Sequence, residues 1–200
     1  MIDTAILDDV HRFWFGELSP DQPPGKEQMD RWFRPSTEAD AHIRDTYGRY
    51  LDEAAAQVWN LDDLSLGQQA ALVVLLDQFP RQIYRKDGRA FANDAAARRI
   101  AKAIIDEGLT RFQPAERTFI LLPLEHSEDI ADQDYGILLH AAETVAAPPQ
   151  RKEWMRNALD FATRHRDIIR KFGRFPHRNA MIGRESTPEE TEFLKGGRGY

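Results

Sequence analysis

The sequence predicts an all-α fold of seven to eight helices arranged in antiparallel pairs. Apolar residues recur at helical spacing along most of the 200-residue chain, and no alternating apolar pattern of strand length stands out. Proline, glycine and capping residues separate these periodic stretches at short intervals, as expected where short loops join packed helices. We expect one helical domain over residues 1–195, followed by a frayed tail over 196–200.

The first two predicted helices are bounded by residues that suit helix ends. Asp3 is a good N-cap for the first helix, and Gly16 can terminate it. Its apolar face carries Ile6, Val10, Phe13 and Trp14. Residues 16–25 are rich in proline and glycine and predict a loop. A second helix then starts near Ser36 or Thr37.

The third predicted helix, over 68–79, is expected to be the central one. Its middle, 70–76, is apolar on every side, which is typical of a fully buried helix. Pro80 is expected to end it, because proline lacks the backbone N–H that the next turn needs.

Capping residues delimit the remaining helices. Asn93 or Asp94 suits the fourth, Pro114 a first-turn position, and Ser127 the start of the sixth. Pro123 is expected to break or kink the run that contains it. The predicted helices lie at about 94–107, 115–122, 128–145, 150–172 and 188–194.

Charge is distributed unevenly along the chain. The net charge is −6, but residues 151–184 carry ten Lys or Arg against three Asp or Glu, a local charge of +7 that leaves −13 elsewhere. The basic segment either packs on the acidic part of its own domain or binds an external anion. Non-specific nucleic-acid binding is not expected, since the acidic protein would be repelled by phosphates.

Several function classes lack their sequence signatures. Cysteine is absent, which excludes disulfides, a thiol nucleophile and a cysteine-ligated metal. The phosphate-binding, dinucleotide-binding, serine-hydrolase and zinc-protease motifs are missing, and no metal site is predicted. The N-terminus does not resemble a signal peptide, and the longest apolar run has seven residues, so a soluble cytoplasmic protein without membrane contact is expected.

Three segments combine ionisable or amide side chains with apolar neighbours at the ends of predicted helices: 76–81, 123–129 and 172–184. In the first, Asp77 follows an apolar run and lies four residues before Arg81, with which it would pair if the helix continued. A buried carboxylate requires such a partner. This segment therefore predicts either part of a pocket or a buried ion pair.

The second segment surrounds a predicted helix start. Ser127 and its acidic neighbours, including Glu128, suit capping, whereas capping leaves Glu125 and His126 unexplained. A carboxylate and an imidazole beside an apolar element suit general acid–base work or ion pairing with the basic segment. His165 joins them as a candidate because it lies on the apolar face of the last long helix, where it is either a tuned imidazole or a core residue.

The third segment is a loop interrupted by glycine and proline. Arginine forks beside a helix N-terminus are the elements of an anion site. The candidate ligand-binding residues here are Arg174, His177, Arg178, Asn179 and Arg184, and the other two segments add Asp77, Arg81 and Glu128 to the set. In the competing interpretation, Glu189 and Glu190 already occupy the helix dipole.

These segments, together with Phe13-Trp14-Phe15-Gly16 and 183–187, resemble the bacterial domain-of-unknown-function family numbered 924. The resemblance covers nearly the whole chain and implies an all-helical fold of the tetratricopeptide-like superfamily, a right-handed helical array. It implies no established activity, so the motif residues carry over without roles. Those residues are Asp77, Arg81, Glu125, His126, Arg174, His177 and Arg178. Gln82 departs from the asparagine expected there.

Two functional hypotheses remain open at this point. In the first, the three segments meet to form a polar site, of a binding protein or an enzyme, for an anionic small molecule, with Glu125, His126 and His165 as acid–base candidates. In the second, the chain is a helical-repeat scaffold for a protein or peptide, and the segments form a buried ion-pair network. A third interpretation assigns the network to stability alone.

Overall fold

The computed structural model describes residues 2–197, and its regular structure within that range is entirely helical. The ten α-helices of the described part are α1 (Ala5–Phe15), α2 (Lys26–Phe33), α3 (Thr37–Tyr47), α4 (Leu51–Ala56), α5 (Leu66–Ile83), α6 (Asp94–Gly108), α7 (Pro114–Glu125), α8 (Ile130–Ala146), α9 (Lys152–Phe172) and α10 (Pro188–Lys195). Short 3₁₀ segments occupy Gly48–Tyr50, Leu61–Asp63, Gly88–Phe91, Leu109–Arg111, Pro149–Arg151 and Pro176–Ile182. The all-α prediction is confirmed.

The predicted number of helices, seven to eight, is too low. Helix α2 was not expected, because it is short and its main apolar anchor is one buried residue, Trp32. The Trp32 indole donates a hydrogen bond to the Trp14 carbonyl at 2.9 Å. Helix α4 is separate from α3 because a 3₁₀ segment beginning at Gly48 interrupts the expected continuous helix. Tertiary contacts, rather than local periodicity, stabilise both short helices.

Helix α5 is the central element, as its all-round apolar run predicts. Residues 70–76 are at most 1% exposed. The helix packs against α1, α3, α4, α6 and α7. A capping box starts it. The Ser65 hydroxyl accepts from the Gln68 backbone amide, and the Gln68 side-chain oxygen accepts from the Ser65 backbone amide.

Helix α5 does not end at Pro80, contrary to expectation, but continues through it to Ile83. Pro123 likewise lies inside α7. Burial against neighbouring helices stabilises these turns despite the missing N–H groups. The continuation matters for the site, because it places Asp77 and Arg81 one helical turn apart.

An aromatic cluster anchors the C-terminal half of α5. The Phe79 ring lies 5.6 Å from that of Trp14 and 5.1 Å from that of Tyr47, and Trp14 lies 5.4 Å from Phe119. Such tilted and edge-to-face pairs fix ring orientation as well as burying apolar area. The turn carrying Asp77 is thereby held rigidly against α1, α3 and α7.

The chain after α9 returns toward the ends of α5 and α7. Gly173 takes a left-handed conformation, φ +69°, and its amide bonds to the Ile169 carbonyl, which ends α9 as predicted. Phe175 is fully buried beside Ile168 and Ile169. Of the expected tail, Gly196 and Gly197 follow α10 as a turn, and residues 198–200 lie outside the described part.

No helix in the described part of the chain combines the length and apolar character needed to cross a membrane.

Candidate functional site

The segments 76–81, 123–129 and 172–184 are adjacent in the structure. The Nδ1 atom of His126 lies 2.8 Å from Oδ1 of Asp77, linking the first two segments. Arg178 from the third segment donates through Nη2 to the backbone carbonyl of His126 at 2.9 Å. Residues 49 and 52 positions apart in sequence therefore contact one another directly.

Asp77 is a fully buried carboxylate with several donors around it. Arg81 lies 3.3 Å from its Oδ1, and the Gln78 amide donates to its Oδ2. Burial alone would raise the pKa of Asp77, but the positive charge of Arg81 and the contact with His126 outweigh it, so the pKa lies below its usual range. Asp77 is thus an ionised group in the interior near pH 7.

Asp94 joins the two arginines and was not singled out as a site residue by the sequence. Both guanidinium nitrogens of Arg81 reach it, at 2.8 and 2.9 Å, and Arg178 donates to it at 3.1 Å. The Phe91 ring lies beneath both guanidinium groups, 4.5 Å from Arg178 and 5.7 Å from Arg81. The available sequence signal, an acid in the first turn of α6, predicts only dipole compensation.

His126 is oriented by Asp77. Because Asp77 is ionised, the bond requires that Nδ1 carry a proton and donate it, so in the neutral imidazole the lone pair lies on Nε2. Within residues 2–197, Nε2 has no hydrogen-bond partner, and the side chain is 14% exposed. The arrangement is that of a partly exposed imidazole held by a carboxylate through one nitrogen, with the second nitrogen free of partners in the described part of the chain.

Glu125 contacts a different set of side chains. It is 3% exposed, and its carboxylate lies 2.7 Å from Nε2 of His140 and 3.7 Å from Nδ1 of His165. His140 was missed by the sequence reasoning, although its spacing of four and eight residues from Gly136 and Asp132 places it on their face of α8. Glu125 therefore belongs to a buried histidine cluster behind His126.

His165 connects the two groups. Its ring lies 6.2 Å from that of His126 and 5.7 Å from that of Phe175, and Nδ1 is 2.8 Å from the Phe161 carbonyl. Burial lowers the pKa of His165 despite the opposing charge of Glu125. His165 is buried, as its place on the predicted apolar face of α9 requires. Phe161, four residues earlier on the same face, is 48% exposed.

Glu128 fastens the third segment to the start of α8. Both its oxygens accept from Arg184, at 2.7 and 2.8 Å, and one also accepts from the Phe175 amide at 2.8 Å. Burial opposes ionisation of Glu128, but the bonds from Arg184 and Phe175 lower its pKa. The guanidinium of Arg184 is thus neutralised internally by a bidentate pair.

Ser127 does not cap α8 as expected, because Asp129 takes that position and accepts from the Ala131 amide. Ser127 instead donates to Asp132 at 2.8 Å. Arg98 and Lys102 of α6 also bind Asp132, at 3.0 and 2.6 Å. Helix α8 therefore begins two residues later than predicted, and Glu128 lies before the helix, where it binds Arg184.

Arg174 and Asn179 contact Glu190 rather than the Asp77–His126 pair. Arg174 donates to both carboxylate oxygens of Glu190, at 2.6 and 2.8 Å, and Asn179 donates at 3.3 Å. The bond from Arg174 lowers the pKa of Glu190 to about 2. Glu190 also closes the predicted capping box with Thr187. The guanidinium of Arg174 is therefore already occupied by a carboxylate.

His177 lies among cationic groups. Its buried Nδ1 has no hydrogen-bond partner in the described part of the chain. Burial, followed by the positive charge of Arg178, lowers the pKa of His177 to about 4. His177 is accordingly a neutral imidazole near pH 7.

Much of the basic 151–184 segment is paired internally. Its arginines bind Asp94, Glu128, Asp134, Asp167 and Glu190. Three of these acids lie before the segment and one lies after it, in agreement with the interpretation that the segment packs on the acidic part of its own chain. Within residues 2–197, no group of three or more His, Asp or Glu side chains is placed to hold a metal ion.

A family model described as "Bacterial protein of unknown function (DUF924)" matches residues 10–198. The chain belongs to this family. The DUF924 chain is also similar to a solved structure of a protein of unknown function from Agrobacterium tumefaciens, with 32% identity and a TM-score of 0.74, covering 97% of this chain and 99% of that one. A search of curated proteins found no match. The resemblance noted from the sequence is thereby confirmed.

Proposed function

We propose that this protein binds and acts on a small polar ligand where residues 76–81, 123–129 and 172–184 meet, and that His126 is its acid–base group. The observation that carries the proposal is the 2.8 Å contact between Asp77 and Nδ1 of His126, which leaves Nε2 unpaired within residues 2–197 on a partly exposed ring. A stability network has no need to leave one imidazole nitrogen without a partner.

The chemistry follows from the orientation. With Nδ1–H donated to Asp77, the Nε2 lone pair is available to remove a proton from a bound molecule. The ionised carboxylate stabilises the imidazolium that forms, as in a carboxylate–histidine pair. Arg178 holds the His126 carbonyl, and Arg81 holds Asp77, so both partners are fixed before a ligand arrives.

Glu125 and His165 have a supporting role in this proposal. Their mutual contact and burial place them behind His126, which suits positioning of the ring better than direct contact with a ligand. Arg174, Arg178 and Arg184 each hold an internal carboxylate. We propose that these three arginines, together with Asn179 and His177, shape the wall of the site. Because their charges are paired with internal carboxylates, the charge that faces the ligand comes mainly from other residues.

His126→Asn tests the proposal sharply, because asparagine keeps a donor near Nδ1 and removes Nε2. The parent, His126→Asn and His126→Ala would be screened by thermal shift against carboxylates, phosphates, nucleotides, esters and divalent metals, and then for turnover of each bound compound. We expect His126→Asn to melt close to the parent but to lose turnover, and His126→Ala to lose stability as well. Equal turnover by His126→Asn and the parent would reject the acid–base role.

A second candidate is a helical-repeat scaffold of tetratricopeptide-like arrangement in a cytoplasmic protein. It is favoured by apolar side chains exposed along α8, where Leu138 is 67% and Val145 79% exposed. Consecutive packing of α6 on α7, α7 on α8 and α8 on α9 also suits such an array. Crosslinking in cell extract should then capture a partner with the parent but not with Leu138→Asp, whereas identical capture by both would argue against this surface.

A further inference from the structure

A cavity beside the C-terminal half of α5 contains an unusual concentration of guanidinium groups. Its volume is about 150 Å³, and it lies between the end of α2 and the last two turns of α5. Three arginines and two glutamines supply its polar lining, together with Trp32, Phe33 and Pro35, and no carboxylate lines it. The arginines are Arg34, Arg81 and Arg85, and the glutamines are Gln78 and Gln82.

Each arginine at this cavity retains donor capacity. Arg85 binds Asp40 through Nε and Nη2, each at 3.0 Å, so Nη1 has no acceptor in the described part of the chain. Arg34 approaches Asp30 only through Nε, at 2.9 Å, which leaves both terminal nitrogens without an acceptor among residues 2–197. Arg81 donates through its terminal nitrogens to the Asp77 backbone carbonyl at 2.7 Å and to Asp94 at 2.9 Å, and its Nε–H has no acceptor among residues 2–197.

We infer that this cavity is a binding site for a phosphoryl group, as inorganic phosphate or as the head of a small phosphate monoester. Guanidinium forks match the oxygen spacing of phosphate, and arginines from two separate elements can surround a tetrahedral dianion. The volume suits a single small oxyanion, because cavities for drug-sized ligands measure about 300–1,000 Å³. Although each guanidinium already pairs with a carboxylate, the terminal nitrogens of Arg34 and Arg85 that these pairs leave without an acceptor can donate to phosphate oxygens.

The competing explanation is that these arginines serve the helices alone. Arg34 follows α2, and Arg81 and Arg85 lie at the end of α5, where cations offset the negative end of the helix dipole. Compensation of the helix dipole does not require that arginines with unused N–H donors line a common cavity. It also predicts no affinity for phosphate beyond that of other exposed arginines, so the two explanations differ measurably.

The test is isothermal titration calorimetry of the full chain with inorganic phosphate, methyl phosphate, sulfate and acetate at low ionic strength. Arg34→Gln and Arg85→Gln remove one cavity charge each, and Arg156→Gln removes one exposed charge on α9 outside the cavity. We expect phosphate and methyl phosphate to bind more tightly than acetate. Each cavity substitution should weaken binding about tenfold, the loss of one charged hydrogen bond, and Arg156→Gln should leave it unchanged.

Three outcomes would overturn the inference: no measurable phosphate binding at millimolar concentration, equal losses in all three variants, or tighter binding of acetate than of phosphate. Side-chain NMR of the arginine Nε–H groups locates the ion directly. The cavity shares Arg81 and Gln78 with the surroundings of Asp77, but phosphate binding does not require the acid–base role of His126, so His126→Asn should bind phosphate as the parent does. Loss of phosphate binding in that variant would show that His126 takes part in phosphate binding and would contradict a separate site at the cavity.

Discussion

Asp77 illustrates how one side chain depends on partners that are remote in sequence. Its carboxylate is buried completely, its charge is balanced by Arg81 on the same helix, and His126 at the end of α7 lies 2.8 Å from it as a hydrogen-bond donor. A buried ion that loses its partners, or partners that lose the ion, destabilises a protein more than a surface pair does. At the residue scale, the site therefore depends on charge balance as much as on shape.

We expect Asp77→Asn to lower the free energy of unfolding by about 3–5 kcal/mol, because Arg81 and His126 lose the charge they share. Urea denaturation measures the change, with Asp160→Asn on the exposed side of α9 as the control. The lowered pKa of Asp77 adds a pH dependence. Its contribution is complete above about pH 4 and is lost as the pH falls toward the folded-state pKa, so the variant should lack this part of the acid transition.

His177 predicts a second pH dependence of stability, which arises from a buried neutral base rather than from a buried ionised acid. Its pKa is about 4 in the folded protein, against about 6.5 in an unfolded chain, so the unfolded state takes up the proton first. Stability should be complete above about pH 6.5 and decrease as the pH falls to 4, by about 2–3 kcal/mol. The cations facing it are Arg178 and Arg81, with His165 and His126 also near.

Melting temperatures of the parent and His177→Gln between pH 7.5 and 4 check this expectation. The variant should show a flatter profile over the window, since glutamine does not titrate. Parallel profiles for the two proteins would show that other groups, not His177, set the acid side of the stability curve.

At the scale of elements, the end of α9 determines where the third segment lies. Gly173 adopts φ +69°, and a Cβ built there would have no atom within 4 Å, so any penalty is conformational rather than steric. The turn directs Phe175 into the small cluster beside Ile168 and brings Arg178 to Asp94. One backbone conformation therefore positions several side chains of the site.

We expect Gly173→Ala to lower stability by about 1–2 kcal/mol, the strain of a left-handed alanine. Gly48→Ala is the matched control, because Gly48 has helical angles, φ −53° and ψ −37°, and its nearest contact for a Cβ is 3.9 Å away. It should raise stability by about 0.4–1 kcal/mol. Chemical denaturation of both variants would contradict the argument if the two changes had the same sign.

At the scale of the whole molecule, ion pairs connect the C-terminal part of the chain to its middle. Arg178 reaches Asp94 across 84 positions, and Arg184 reaches Glu128 across 56. Of the eight arginines in the basic segment, Arg166, Arg174, Arg178 and Arg184 bind carboxylates in the described part of the chain. Helix packing brings the three segments to one place, and this long-range pairing then connects them.

A double-mutant cycle with Glu128→Gln and Arg184→Gln measures the strength of one such connection. We expect a coupling free energy of about 1 kcal/mol from this bidentate, partly buried pair. The exposed pair of Glu192 and Lys195 on α10 is the control and should give a coupling of about 0.3 kcal/mol. A coupling for Glu128–Arg184 no larger than the control would show that burial of Phe175, not charge, docks the segment.

Local pattern determined the elements with strong periodicity. The apolar run of α5, the Ser65 start, the Gly173 stop and the Thr187–Glu190 capping box follow from side chains within a few residues of one another. The same reasoning failed where neighbouring helices outweighed local preference, as at Pro80 and in α2. Proline and a short polar sequence disfavour a helix alone, but burial against a packed neighbour supplies the missing free energy.

The sequence by itself determined that the protein is all-helical and that three segments combine charged and apolar side chains. Only the tertiary structure decided which charges meet: Asp77 with His126, Asp94 with both Arg81 and Arg178, and Glu125 with His140. The physical reason is range. Helix periodicity and capping depend on residues three or four positions apart, whereas these ion pairs join residues up to 84 positions apart and exist only once the helices pack.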